Sequence, residues 1–153
     1  MKDHFSEIKN YIDEIGLYDS QENFEYDHYP YLKNILDGFT AKQHEAFVEE
    51  VFEWPDHQLE FVARFLDFTD YDLKGKYESY YVFCECFSKI NNLQYLEHLS
   101  MNLEIYSTQR KFFKSNLSLS VQDIINNLYL LINNVKDQNI IDSHLRIIKD
   151  LES

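Results

Sequence analysis

Apolar residues recur along this chain at the three- and four-residue steps of an α-helix almost from end to end. Phe5, Ile8, Ile12 and Ile15 share one helical stripe, and Gly16 follows as a natural stop. Residues 17–29 are rich in acid and tyrosine and show no clear period. Pro30 then opens a short element through Leu32, Ile35 and Leu36, which Gly38 ends. Thr40 with Gln43 forms a capping box ahead of a helix carrying Phe47, Val48, Val51 and Phe52. Trp54-Pro55 breaks that helix, and Pro55 suits the first turn of another with Leu59, Val62, Phe65 and Leu66 on one face.

The second half repeats the pattern. Tyr77, Tyr80, Phe83 or Cys84, Phe87 and Ile90 predict one amphipathic helix, broken at Asn91-Asn92. Leu93, Leu96, Leu99, Leu103 and Tyr106 predict the next, and Ser107 to Ser118 reads as a basic polar loop. Ser120 with Asp123 begins a helix through Ile124, Ile125, Leu128, Leu131, Ile132 and Val135. A turn around Asp137 leads to the last, with Ile141, Leu145, Ile148 and Leu151. No run alternates with period two for long enough to predict a sheet. The expected class is all-α, with about seven or eight helices in antiparallel hairpins, as a HEAT-like stack or an irregular bundle. Hairpins beginning near residues 41, 76 and 120 are spaced by about 35 and 45, which brackets the helical-hairpin repeats. The tetratricopeptide consensus residues are missing, and the three units align poorly.

Length changes the picture little: 153 residues make one domain, 1–153, large enough to bury a core without metal or disulfide staples. The N-terminal Met1-Lys2-Asp3-His4 lacks the apolar run of a signal peptide, and no stretch is long enough to span a bilayer. Cys84 and Cys86, two apart on a helix, point to different faces and read as buried, reduced thiols. A cytoplasmic protein is the expectation.

Charge changes it more. The chain carries 27 acidic and 14 basic residues, a formal net of -13. From Met1 to Gly75 there are 18 acids and 6 bases, a net of -12, against 9 and 8 from Lys76 to Ser153, a net of -1. Such a surface repels DNA, RNA and anionic lipid, so neither nucleic acid nor membrane is an expected partner. Acid and aromatic residues interleave from Asp13 to Tyr31 and again around Trp54. Glu45, Glu49 and Glu53 recur at four-residue steps and form one stripe opposite the apolar face. Like charges so spaced cost a helix roughly 0.2–0.5 kcal/mol per pair, a cost tolerated where a cationic partner neutralises them. Acidic helices are also simply soluble, and a chain with 12 Tyr and 12 Phe must bury most of its rings.

Catalytic signatures are missing. None of the six histidines forms a helical zinc-protease motif. Glu25 and His28 have the spacing used in di-iron bundles, but the motif occurs once and falls in an expected loop. Cys84 sits between Phe83 and Glu85, which raises a thiol pKa, and three glycines cannot build a phosphate loop. No catalytic residue, metal or cofactor is expected, and the chain does not read as an enzyme.

The segment Asn23-Phe24-Glu25-Tyr26-Asp27-His28-Tyr29-Pro30-Tyr31 and the run Leu36 to Leu66 around Trp54-Pro55-Asp56 resemble the small helical immunity proteins encoded beside bacterial toxins, including those of contact-dependent inhibition systems. The resemblance implies a cytoplasmic protein that binds and blocks a cationic toxin domain, often a nuclease. The charge split and the interleaved aromatics place the expected partner surface on Asp19, Glu22, Glu25, Tyr26, Asp27, Tyr29, Glu45, Glu49, Glu50, Glu53, Trp54, Asp56 and Glu60. Trp54 has a second reading, as a cap on the core. The competing function is a helical-repeat scaffold or adaptor that binds a peptide or subunit along one face. The expected state is a monomer or weak dimer.

Overall fold

The computed structural model describes residues 2–15, 23–109 and 120–152. Among them run eight α-helices, one preceded by a π-helical turn, and no strand. Helix α1 (Lys2–Ile15) buries Phe5, Ile8 and Ile12, the stripe its spacing predicts. The π-helical turn Phe24–His28 runs directly into α2 (Tyr29–Asp37), so helical structure begins six residues before Pro30. This corrects the expected loop. A π turn adds a residue per turn, which hides the helix from a 3.6-residue reading yet sets Phe24 and Tyr29, five apart, both into the core.

Helix α3 (Ala41–Val51) starts at the expected capping box: Gln43 N donates to Thr40 Oγ1 at 3.2 Å, and Thr40 N to Gln43 Oε1 at 2.7 Å. Pro55 occupies the N-cap of α4 (Asp56–Thr69), one place earlier than expected. Residues Gln58 to Ala63 are buried without interruption, followed by Phe65 and Leu66, because α4 is covered on all sides. It ends on Asp70 in the left-handed conformation, φ 51°. Then come α5 (Ser79–Lys89), α6 (Leu93–Gln109), α7 (Val121–Ile132) and α8 (Gln138–Glu152). Since α6 continues through Gln109, Ser107 to Gln109 are helix rather than loop, and residues 110–119 lie outside the described residues.

From α4 onward each helix packs on its next and next-but-one neighbours: α4 on α5 and α6, α5 on α6 and α7, α6 on α7 and α8, and α7 on α8. That is the contact pattern of a two-row stack, with α4, α6 and α8 in one row and α5 and α7 in the other. A closed four-helix bundle would press α4 against α7, a pair that is not among the close-packed ones. Helices α1 and α3 lean on α4, and Phe5 meets Phe39 and Phe47 there.

Side-chain clamps fix the layers. Asp56 Oδ2 accepts from the backbone N–H of Asn91 and Asn92, both at 3.0 Å. Buried Glu85 accepts from Ser120 N at 2.6 Å, again 35 residues along the chain. Asn127 Nδ2 donates to the carbonyls of Phe87 and Ile90. Cys84 and Cys86 are buried and free, as their sequence context predicts, and burial pushes both thiols well above their ordinary range.

Candidate functional site

The acidic half divides into carboxylates that the fold uses and carboxylates that it leaves open. The α3 stripe belongs partly to the first kind. Tyr77 Oη donates to Glu49 Oε1 at 2.9 Å, and Lys76 Nζ approaches the same oxygen at 3.7 Å. Glu45 Oε2 accepts from Lys76 N at 3.4 Å, under Gly75, whose φ is +91°. One charge of the stripe is thus offset from within, by Lys76 at Glu49, while the Tyr77 hydroxyl and the Lys76 N–H supply hydrogen bonds to its carboxylates. Glu53 lies in the turn after α3 rather than on the helix. Glu50 and Glu53 are exposed and carry no ion pair among the described residues.

Three expected surface residues are buried. Tyr29, 1% exposed, is enclosed by Phe61, Phe65 and Phe68 of α4. Trp54 is 4% exposed, with its ring edge-on to Phe47 and Lys9 Nζ 5.7 Å from its centre. It caps the core, the second of its two readings. Glu60 is 3% exposed because α1, the π turn and α6 close around α4. Its carboxylate faces Arg64 Nε at 2.9 Å, accepts from Arg64 Nη2 at 3.2 Å and meets His98 Nδ1 at 3.6 Å. The Nε contact is ionic only, since that N–H finds no aligned acceptor. Burial pushes the Glu60 carboxyl up, against the pull of Arg64 and His98.

Of the remaining expected residues, Asp56 is committed to the α6 clamp described above. Tyr26, at 72% exposure, and Asp27 face solvent, while Glu25 is half-buried. Asp19 and Glu22 lie outside the described residues. Glu25 and His28 sit in the π turn rather than in a loop, and His28 Nδ1 pairs with Tyr11 Oη at 2.8 Å. Among the described residues no group of three acids, histidines or cysteines could hold a metal ion.

Two hollows border this half. The first, about 260 Å³, has walls of Ile12, Phe24, Phe61 and Tyr95. Its charged groups compensate one another: Glu60 pairs with Arg64, whose guanidinium carbon lies 4.1 Å from the Phe24 ring centre. At its mouth Asp13 Oδ1 meets His57 Nε2 at 2.6 Å and Gln58 Nε2 at 2.9 Å, bonds that hold the Asp13 carboxyl below its ordinary value. The second hollow is a shallow groove of about 400 Å³ between α1 and α2, bordered by Glu7, Asn10, Tyr11, Glu14 and Tyr31. Only Glu14 and Tyr31 fell within the stretch that the sequence marks as acid and aromatic. The signal for the rest is the spacing Glu7, Tyr11, Glu14, which puts three side chains on one helical face.

Fold and surface together define an all-helical protein with an acidic N-terminal half. In comparisons with known proteins the chain matches no family model, no curated protein and no solved structure. No helix among the described residues is long and apolar enough to cross a membrane.

Proposed function

We propose that this is a non-enzymatic binding protein that takes a basic protein domain on the acidic face of its N-terminal half. In finer detail we read it as an immunity protein that neutralises a cationic toxin domain of the nuclease kind. The observation that carries the reading is an excess of exposed carboxylate that internal cations do not balance. Asp27, Glu50, Glu53 and Asp70 are exposed without an ion pair among the described residues. Meanwhile Lys33, Arg64 and Lys76 are spent on Asp37, Glu60 and Glu49. Uncompensated charge repels itself in the folded state, and a cationic partner relieves that repulsion while the field steers its approach. The reading entails a bacterial cytoplasmic protein, monomeric or weakly dimeric, without metal or cofactor and without direct contact with nucleic acid or membrane.

The test is titration calorimetry against the basic toxin domain encoded beside the protein. One-to-one binding that weakens steeply between about 50 and 300 mM salt is expected, because exposed charges are screened over that range. Glu50→Lys with Glu53→Lys is expected to weaken it at least about tenfold with helical circular dichroism unchanged. Glu49 is left in place because it docks Tyr77. Failure to bind, or binding indifferent to salt, overturns the reading.

A second reading, a scaffold for an apolar peptide, is favoured by a groove of about 410 Å³ between α6, α7 and α8. Met101, 64% exposed, borders it together with Val135 and Ile140. A partner whose binding ignores salt and is lost on Met101→Asp would favour the scaffold.

A further inference from the structure

The groove between α1 and α2 combines features that the rest of the acidic surface keeps apart. Tyr11 and Tyr31 stack face to face across the two helices, 3.8 Å between centroids and 10° from parallel. Each ring is tethered at its hydroxyl: Tyr11 to His28 Nδ1 at 2.8 Å, and Tyr31 as donor to Glu7 Oε1 at 3.1 Å. The aromatic wall is therefore preorganised and loses little freedom on binding. Burial and the Glu7 bond together push the Tyr31 hydroxyl up to about 12, so that ring stays neutral.

Along its edge Glu7 and Glu14 are exposed on the same face of α1, two turns apart, a rise of about 10 Å. Among the described residues no lysine or arginine borders the groove. The nearest cations on these helices are directed elsewhere, Lys9 over Trp54 and Lys33 onto Asp37 at 2.6 Å. Among the described residues Glu7 has His4 as its one ionic neighbour, at 3.6 Å, and Glu14 has no ion pair.

The guest that suits this hollow is a flat, weakly hydrated cation. Glu7 and Glu14 stand two turns apart with Tyr11 between them, and among the described residues no third acid, histidine or cysteine joins them to complete a metal site. A nucleic acid brings the wrong charge. A guanidinium meets both requirements, stacking on an aromatic surface and offering its N–H groups to a carboxylate at the groove's edge. We propose that this tyrosine-walled groove is an anchor site for an arginine side chain of the basic protein partner. The inference rests on the partner reading above and deepens it by naming the residue that the partner inserts and where.

The probe is a short peptide, acetyl-Gly-Arg-Gly-Arg-Gly-amide, titrated into the isotopically labelled full chain and followed by amide chemical shifts. Shifts centred on residues 6–14 and 30–32 are expected, with the citrulline peptide giving none. Glu7→Gln with Glu14→Gln is expected to weaken the arginine peptide about tenfold, since two charge contacts are lost. Tyr31→Ala removes half the wall, whereas Tyr31→Phe keeps the stack and is expected to retain binding. Shifts centred on Glu50 and Glu53, or equal binding of the citrulline peptide, overturn the anchor site. With the toxin domain itself, loss of affinity from Glu50→Lys and Glu53→Lys but not from Glu7→Gln and Glu14→Gln also overturns the anchor and leaves the partner reading standing. Failure of every basic domain to bind overturns the partner reading, and the peptide result then decides the anchor alone.

Discussion

His44 ties three chain segments together. It is 1% exposed, its Nε2 lies 2.7 Å from the Leu36 carbonyl, and its Nδ1 lies 2.8 Å from the Lys74 N–H. Because Nδ1 accepts from a backbone donor, the ring proton must sit on Nε2 and be donated to Leu36. The imidazole thus joins the end of α2, the body of α3 and the connection after α4. His44→Ala is expected to cost about 2–4 kcal/mol, from two lost hydrogen bonds and the cavity left behind, read as a lower urea midpoint. An unchanged midpoint would mean that water replaces the ring. Nothing in the sequence marks His44 among six histidines, because its partners are 8 and 30 residues away. The same holds for Glu60 and Gln58, whose burial comes from distant α1 and α6 rather than from their own helix.

Among elements, the contrast between α3 and the π turn shows what periodicity can convey. Thr40 and Gln43 lie three apart, act on each other locally, and were legible as a capping box. The π turn has no comparable local mark, since Phe24 and Tyr29 look out of phase until an extra residue per turn is allowed. The acidic stripe of α3 was also legible, though its purpose was not, because Lys76 and Tyr77 reach it from a connection some 30 residues on. Gly75 is the closest point of that contact. A Cβ there would lie 2.7 Å from Glu45 Oε2 and 3.0 Å from the Ala41 carbonyl oxygen, on a backbone at φ +91°. Gly75→Ala is therefore expected to destabilise by about 1–3 kcal/mol. Adding Glu45→Ala should recover only the part due to the side-chain clash. Thermal unfolding of the two single variants and the double variant measures that part, and complete recovery would exclude backbone strain.

At the scale of the molecule, the helical class, a number of about seven or eight helices (eight among the described residues) and the hairpin style follow from the 3.6-residue stripes and short connections. The two-row arrangement needs more than stripes, because Gln58 to Ala63 of α4 and Tyr81 to Phe87 of α5 are buried without interruption and so do not point to one neighbour. The candidate surface was less legible than the fold. Charge asymmetry located the acidic half, but acid residues there serve two ends that look alike in sequence. Asp56 binds two backbone amides, whereas Glu53, three residues earlier, binds none of the described groups. Tyr29 and Tyr26 divide in the same way, one in the core and one in solvent.

The next-neighbour packing of α4 to α8 also governs how the chain yields to force. Among the described residues α8 packs mainly on α6 and α7, so a pull on the C-terminus is met first at those two contacts. Stretched between its ends in an optical trap, the molecule is expected to shorten its folded part in steps. From the C-terminal end α8 peels away first and then α7 with the Glu85–Ser120 clamp, while at the other end α1, which leans on α4, takes the same load. A single rip spanning the whole contour length would mean that the rows act as one cooperative block. A staircase would mean that this small protein resists pulling as a zipper does, one tooth at a time.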